Sequence, residues 1–165
     1  MTKAIVIYQS LFGNTKKIAM SLARGLEESG VITDCLHIDE VDIEKLVEYD
    51  FIAIGGPTHI LGMSKQMKAF IGKLKTANLR GKMGFSFDTR ILSKMNKRSL
   101  FFLENSAARR IEGKMKHRKI KMVRSRESAL VTGREGPLNQ QAESRFFQIG
   151  KEIGAILLPK LPQVA

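Results

Sequence analysis

The hexapeptide Ser10–Thr15, SLFGNT, has the residue types of a phosphate-binding turn. It follows the apolar run Ala4–Tyr8 and opens a segment with the spacing of an amphipathic helix. Backbone N–H groups converge at a helix N-terminus, the hydroxyls of Ser10 and Thr15 add donors, and the helix dipole contributes roughly half a positive charge. Simple helix capping by Ser10 and Asn14 suits the same residues, so the turn alone leaves both interpretations open.

Two better-known phosphate-binding motifs do not match this turn. A Walker loop needs Gly, four residues and then Gly-Lys-Ser/Thr, and a dinucleotide fingerprint needs three spaced glycines. The segment from Ile7 to Ala19 contains one glycine, Gly13, and neither pattern. If the turn binds an anion, we expect a phosphate monoester held without a dedicated cation.

Length and cysteine content limit the class of protein. A chain of 165 residues is typical of one domain, so we predict a single domain over residues 1–165 with a frayed tail at 158–165. No apolar run approaches the ~20 residues of a membrane span and no secretory leader precedes the first strand-like run, which favours a soluble cytoplasmic protein. The one cysteine, Cys35, excludes a disulfide framework within the chain and suits a buried structural thiol.

Strand-like apolar runs alternate with helical patterns, which favours βαβ units around a mainly parallel sheet. The expected helical faces are Ile18, Ala19, Leu22, Ala23 and Leu26; Met67, Phe70, Ile71 and Leu74; Ala108, Ile111 and Met115; and Ala142, Phe146, Ile149, Ile153 and Ile156. We predict that the last helix opens with Pro137 at its first position.

These elements predict a three-layer α/β fold, with an open five-stranded parallel sheet of order 2-1-3-4-5 and helices on both faces. The strands are expected near residues 3–8, 31–38, 50–55, 82–88 and 119–123. Right-handed crossovers would bring the loops after strands one, three and four to one end of the sheet. That end lies beside the switch point where ligands bind.

The residues at these loop positions resemble the flavodoxin family over nearly the whole chain. SLFGNT looks like the family's FMN-phosphate loop, and Ile54–His59, IGGPTH, looks like its second, flavin-flanking loop. Phe87–Arg90, FDTR, resembles the start of the third flavin loop in some members. The resemblance implies a flavodoxin-like fold, a noncovalent FMN cofactor and redox chemistry.

Cofactor-binding roles follow from the resemblance, position by position. The first loop would supply Ser10, Leu11, Phe12, Gly13, Asn14 and Thr15, with Ser10 and Gly13–Thr15 on the phosphate. One side of the flavin ring would be flanked by Pro57, Thr58, His59, Ile60, Leu61 and Gly62, and the other by Asp88, Thr89 and Arg90. Two glycines before Pro57 let backbone approach a flat ligand closely, although a plain tight turn would also explain them.

Aromatic content separates this chain from familiar flavodoxins. It has no Trp, and its two tyrosines, Tyr8 and Tyr49, lie at a strand end and before a strand. The usual aromatic sandwich over the ring is therefore missing, which would leave a more open face for a substrate or for a second protomer in a homodimer. We expect the flavin to be covered instead by residues of the same loops: His59, Ile60, Leu61, Met63 or Phe12.

Charge is the second difference, because well-known flavodoxins are acidic and this chain carries a formal charge of +12. Residues 1–63 hold five Lys or Arg and nine Asp or Glu, a balance of −4, whereas residues 64–165 hold 23 and seven, a balance of +16. The acid-free run from Lys114 to Arg126 suits either a solvated face or a docking surface for an acidic protein, nucleic acid or an anionic membrane. A second basic group, in the expected third flavin loop, would favour the anionic reduced flavin: Arg90, Lys94, Lys97 and Arg98.

Three classes of function can be weighed against these residues. We favour an FMN-binding electron carrier between partner proteins, including acidic ones such as ferredoxins or reductases. The alternative is a small FMN-dependent NAD(P)H:quinone-type oxidoreductase, since Gly62–Met67 somewhat resembles flavodoxin-like quinone reductases. A phosphoacceptor receiver is excluded because Gly55-Gly56 and Gln9-Ser10 occupy the positions of its acids, and nucleic-acid binding survives only as a secondary activity. No residue is a convincing acid, base or nucleophile, because the cofactor would carry the chemistry.

Overall fold

The described residues form a six-stranded sheet with helices on both of its faces. The computed structural model describes residues 1–59, 62–91 and 105–160. The strands are β1 (Lys3–Tyr8), β2 (Ile32–His37), β3 (Phe51–Pro57), β4 (Met83–Ile91), β5 (Lys121–Met122) and β6 (Glu127–Val131). The helices are α1 (Asn14–Glu28), α2 (Lys65–Lys73), α3 (Ala107–His117) and α4 (Ala142–Leu157), and short 3-10 segments cover Ile38–Glu40, Glu44–Glu48 and Leu74–Thr76.

The strand order confirms the predicted 2-1-3-4-5 topology. β1 lies between β2 and β3, and β4 lies between β3 and β5, with every pairing parallel. β5 pairs with Met83–Gly84 at the start of β4, whereas β6 pairs with Phe87–Ile91 at its end. The outer strand is therefore split into two pieces, and the sequence pattern predicted only the first of them.

The first piece is shorter than the predicted strand at 119–123 because its opening residues terminate α3. The N–H of Ile120 donates to the Met115 carbonyl, and the N–H of Lys119 donates to the Lys116 carbonyl. Lys119 has a φ of 63°, the left-handed conformation that commonly follows a helix C-terminus. An alternation of lysines and apolar residues that is typical of a strand thus belongs partly to a helix end.

The last helix begins later than predicted, and the prediction that Pro137 is its first residue is wrong. The carbonyl of Pro137 accepts the N–H of Thr132, which places the proline in a turn that folds back after β6. The side chain of Asn139 then accepts the N–H of Gln141, and α4 starts at Ala142. Because the Pro137 carbonyl is hydrogen-bonded within this turn, the helix cannot start at Pro137.

Alternate strand residues point into two separate cores. On one face, α1 and α4 pack against Val6, Ala53 and Phe85, and on the other, α2 and α3 pack against Ile7 and Ile54. The apolar faces predicted for the first three helices are buried. In α4, Ile156 is instead 55% exposed and Leu157 takes the buried position. Within the described ranges, no helix is long and apolar enough to cross a membrane.

Candidate functional site

A cleft with a volume of about 650 Å³ opens at the carboxyl ends of β1, β3 and β4. This volume lies within the range of about 300–1,000 Å³ that is usual for small-molecule sites. Parallel strands end at one edge of a sheet, so segments far apart in the sequence meet here. The described residues on its wall are Ser10, Leu11, Phe12, Asn14, Thr15, Pro57, Thr58, His59, Met63, Ser64, Lys65, Gln66, Thr89, Ile91, Val131 and Arg134.

The turn at residues 10–15 presents an uncapped helix N-terminus. Gly13 occupies the N-cap position of α1 with a φ of 91°, and no side chain in the described part of the chain caps the first-turn N–H groups. Ser10 Oγ accepts the N–H of Gly13 at 3.0 Å, whereas the Asn14 side chain donates to the Glu135 carbonyl at 3.2 Å. Neither side chain caps the helix, so the capping interpretation fails and the first-turn amides are available to an anion.

A buried hydroxyl pair joins this turn to the end of β4. The side-chain oxygens of Thr15 and Thr89 lie 2.9 Å apart, and the two residues are only 2% and 5% exposed. A hydrogen bond shielded from water in this way holds the start of α1 against the strand. The two predicted binding segments therefore have a fixed separation across the floor of the cleft.

The loop after β3 is closed by backbone hydrogen bonds. The N–H of Thr58 donates to the Thr89 carbonyl at 2.9 Å. His59 and Gly62 exchange two hydrogen bonds, of 2.7 and 2.9 Å, and Gly62 has a φ of 93°. An ideal Cβ on Gly62 would lie 2.5 Å from Arg110 Cδ, so both the conformation and the space favour glycine. Ile60 and Leu61 lie outside the described residues.

Asp88 holds this loop through a hydrogen bond to Thr58. Its carboxyl is completely buried, and Oδ2 accepts the Thr58 hydroxyl at 2.6 Å and the Ala108 N–H at 3.1 Å. Burial raises the pKa of Asp88 above its usual value, against the opposing effects of Ser128, of the Thr58 and Ala108 hydrogen bonds and of the positive charge of Arg90. Ser128 lies opposite Asp88 on β6, yet Oδ1 accepts no hydrogen bond of standard length and angle from any residue that the structure describes.

The structure brings most of the predicted site residues to one cleft. Gly13 and Gly62 shape its two turns, while Asp88 and Arg90 are buried beside the wall and do not form part of it. Lys94, Lys97 and Arg98 fall outside the described residues. The predicted residues on the wall are Ser10, Leu11, Phe12, Asn14, Thr15, Pro57, Thr58, His59 and Thr89.

Sequence reasoning missed the part of the wall that follows β6. Val131 ends that strand and Arg134 lies in the turn after it, and Ile91 was missed because β4 runs three residues beyond its predicted end. The available signal was the apolar Ala129–Val131 followed by Gly133 and Gly136, which is typical of a short strand and a turn.

The described part of the cleft wall has little aromatic cover. Phe12 is 47% exposed and is the one Phe, Tyr or Trp among the described wall residues, while Tyr8 is buried against the ring of His37.

Cys35 is half-buried on β2 and is not on the wall, and burial raises the pKa of its thiol to about 11. A thiol that stays protonated at neutral pH is a poor nucleophile.

An open sheet of order 2-1-3-4-5 with a ligand-sized cleft at the carboxyl ends of β1 and β3 defines a doubly wound α/β binding protein. A family model described as a flavodoxin domain matches residues 5–142. The chain belongs to the flavodoxin family. This finding confirms the resemblance seen in the sequence.

Curated relatives include flavodoxins and NAD(P)H dehydrogenases (quinone). A flavodoxin from Clostridium saccharobutylicum is 34% identical over 88 residues, covering 53% of this chain and 55% of the relative. An NAD(P)H dehydrogenase (quinone) from Bradyrhizobium sp. (strain ORS 278) is 29% identical over 111 residues, covering 53% of this chain and 56% of the relative. The chain thus spans about half the length of the curated relatives it matches.

Solved flavodoxin structures share the fold over nearly the whole chain. A flavodoxin from the domain Archaea superposes with a TM-score of 0.78 at 24% identity, covering 94% of this chain and 99% of that one. Oxidised flavodoxin 1 from Bacillus cereus also gives a TM-score of 0.78, at 20% identity, covering 96% of this chain and all (100%) of that one.

Proposed function

We propose that this chain binds FMN noncovalently in the cleft and carries electrons between partner proteins in the cytoplasm. The observation that carries the proposal is the uncapped start of α1, which opens onto a ligand-sized cleft in a member of the flavodoxin family. Backbone amides and the Ser10 hydroxyl form a donor set that fits a phosphate monoester. When bound, FMN supplies the electron-accepting chemistry, and the chain orients the cofactor and sets the electrostatic environment around it.

The remaining residues would orient the flavin ring. In this proposal the segment Pro57–Gly62 flanks one side of the ring and Thr89 approaches the other. Asp88 and Arg90 are buried beside the wall and would not contact the ring. The Thr15–Thr89 hydrogen bond supports this arrangement because it fixes the phosphate-binding turn relative to the ring-binding segments.

A small FMN-dependent NAD(P)H:quinone-type oxidoreductase is the second candidate. The described part of the wall has one exposed aromatic ring, Phe12, so it offers little aromatic cover for a flavin. An uncovered ring face would admit a nicotinamide or a quinone. The NAD(P)H dehydrogenase (quinone) relatives support this second candidate, and the matched region covers about half of their length.

The basic run from Lys114 to Arg126 supports an acidic redox partner, such as a ferredoxin or a reductase, less strongly than its sequence suggests. Several of its cations already have acidic partners in the fold. The pairs are Lys116 and Arg126 with Glu112, and Arg124 with Glu127 and Glu152. Contacts of this run with nucleic acid or an anionic membrane, and a homodimer, rank below the acidic partner.

A flavin titration tests both candidate functions. The flavin-free protein is mixed with FMN, binding is followed by quenching of flavin fluorescence, and the complex is then reduced stepwise while the visible spectrum is recorded. Two separable one-electron steps with slow reduction by NAD(P)H support the carrier. Rapid bleaching by NAD(P)H with quinone turnover supports the oxidoreductase, and failure to bind FMN overturns both.

A further inference from the structure

An exposed cation lies on the cleft wall beside the turn at residues 10–15. Arg134 follows β6, and its guanidinium carbon lies 6.0 Å from the centroid of the Phe12 ring. The side chain is exposed, and none of the ion pairs within residues 1–59, 62–91 and 105–160 includes it. Its described contact is therefore with an aromatic face, which leaves its five N–H donors available.

The turn that carries Arg134 is fixed against the anion-binding turn. Asn14 Nδ2 donates to the carbonyl of Glu135, the next residue along the chain, at 3.2 Å. Within the turn, Thr132 Oγ1 donates to the Gly136 carbonyl at 3.1 Å, and the Thr132 N–H donates to the Pro137 carbonyl at 3.1 Å. These bonds hold the backbone next to Arg134 at the N-terminus of α1.

The charges around this turn are mostly positive. Lys16 and Lys17 are exposed in the first turn of α1, although Glu135 is exposed beside Arg134. Cations normally avoid a helix N-terminus, because the helix dipole is positive there. An anion bound between the dipole and the guanidinium would remove this unfavourable arrangement.

We propose that Arg134 binds the phosphate of the cofactor and makes the cleft selective for FMN over riboflavin, which has the same ring system without the phosphate. The inference rests on the proposed FMN-binding function. It also changes the expectation from sequence, in which hydroxyls and amides hold the phosphate without a cation. A guanidinium matches phosphate with two parallel hydrogen bonds, and the face of Phe12 supports its flat group from one side.

Binding constants for the two flavins test this selectivity. The dissociation constants of FMN and riboflavin are measured by fluorescence quenching, at low ionic strength, for the wild type, Arg134→Gln and the control Arg80→Gln. Arg80 is also exposed but precedes β4 at the opposite end of the sheet. We expect Arg134→Gln to weaken FMN binding about tenfold, near the lower limit for a charged hydrogen bond because the site is exposed. Riboflavin binding should stay unchanged, and the control should match the wild type for both ligands.

Two results would overturn the assignment: unchanged FMN affinity in Arg134→Gln, or an equal loss for both flavins, which would mean that Arg134 only shapes the wall. Inorganic phosphate gives an arm that does not depend on flavin. It should raise the thermal midpoint of the flavin-free wild type more than that of Arg134→Gln, and equal shifts would also refute the role. If phosphate discriminates while FMN does not bind at all, the proposed function fails and the anion site stands.

Discussion

At the residue scale, Asp88 links the cleft to α3 through a buried carboxyl that donors contact on Oδ2. Burial raises its folded pKa, so between the unfolded value of about 3.9 and the folded value the folded protein binds the extra proton. The contribution of Asp88 to stability is therefore most favourable at acid pH. It declines as pH rises through that window and is constant above it.

We predict that Asp88→Asn removes this decline, because an amide oxygen still accepts from Thr58 and Ala108 but does not titrate. The free energy of unfolding in urea, measured on flavin-free protein from about pH 4 to about pH 8, should rise with pH in the variant relative to the wild type. Glu48→Gln, an exposed acid removed as a control, should give a curve parallel to the wild type. A parallel curve for Asp88→Asn would contradict the prediction.

Gly62 closes the loop after β3 in a conformation that L side chains rarely adopt. We predict that Gly62→Ala lowers the free energy of unfolding by about 1–2 kcal/mol, because a left-handed alanine is strained and its methyl group displaces Arg110. Gly72→Ala is the control, since a Cβ there meets nothing within 4 Å and alanine favours the helix by up to about 1 kcal/mol. Urea unfolding of both variants measures the contrast, and FMN affinity should fall in Gly62→Ala alone. Equal effects would show that the loop tolerates a side chain.

Residue types and loop positions predicted much of the site, including the turn at 10–15 and the wall residue Thr89. They did not predict which face of the sheet the side chains of Asp88 and Arg90 point to, because that depends on where β4 ends. The strand continues to Ile91 rather than stopping near residue 88, so strand alternation applies to FDTR. Thr89 then points to one face and its two neighbours to the other.

At the scale of elements, the end of α3 shows a competition between two local patterns. Residues 119–123 alternate lysine with apolar side chains, which predicts a strand, yet Lys119 turns the chain out of the helix at a φ of 63°. The second half of the outer strand and the delayed start of α4 were missed for a related reason. The pairing of Glu127–Val131 with β4 joins segments far apart in the sequence, and the turn that brings Leu138 back to Val131 takes up residues that would otherwise open α4.

We predict that Lys119→Gly raises the free energy of unfolding by about 1 kcal/mol, because glycine adopts the left-handed conformation without a Cβ penalty. Lys119→Ala removes the same charge but keeps that penalty, so it should show no comparable gain. Urea unfolding compares the two variants. If the alanine variant gains as much as the glycine variant, relief of charge repulsion rather than backbone strain would be the cause.

At the scale of the whole molecule, the cleft and Lys121 of the basic run lie at opposite ends of β4. Lys121 pairs with Met83 at the start of β4, while Thr89 and Ile91 line the cleft at its end. The order of the sheet and its buried strands could be predicted, because apolar runs and crossover rules leave few alternatives. The ion pairs of Arg124 with Glu152 and of Arg126 with Glu112 could not, since these partners lie on separate elements.

A net charge of +12 should make stability depend on salt. We predict that the urea midpoint rises between about 10 mM and about 150 mM sodium chloride, because the Debye length falls from about 30 Å to about 8 Å and repulsion among the cations is screened. Lys121→Gln should reduce this rise. Lys3→Gln, which removes a cation from the half with a balance of −4, should not reduce it. A midpoint that falls with salt would mean that the ion pairs outweigh the repulsion.

The divided outer strand has a consequence for behaviour at high concentration. Exposed backbone at the margin of a sheet can recruit another polypeptide, and a long flat margin does so most readily. Here that margin consists of β5, which is two residues long, an irregular stretch bearing Arg124 and Arg126, and then β6, which is five residues long. Among the described residues, such a broken and cationic border gives a neighbouring chain no continuous row of amides to copy, so we expect it to disfavour fibril growth on that side.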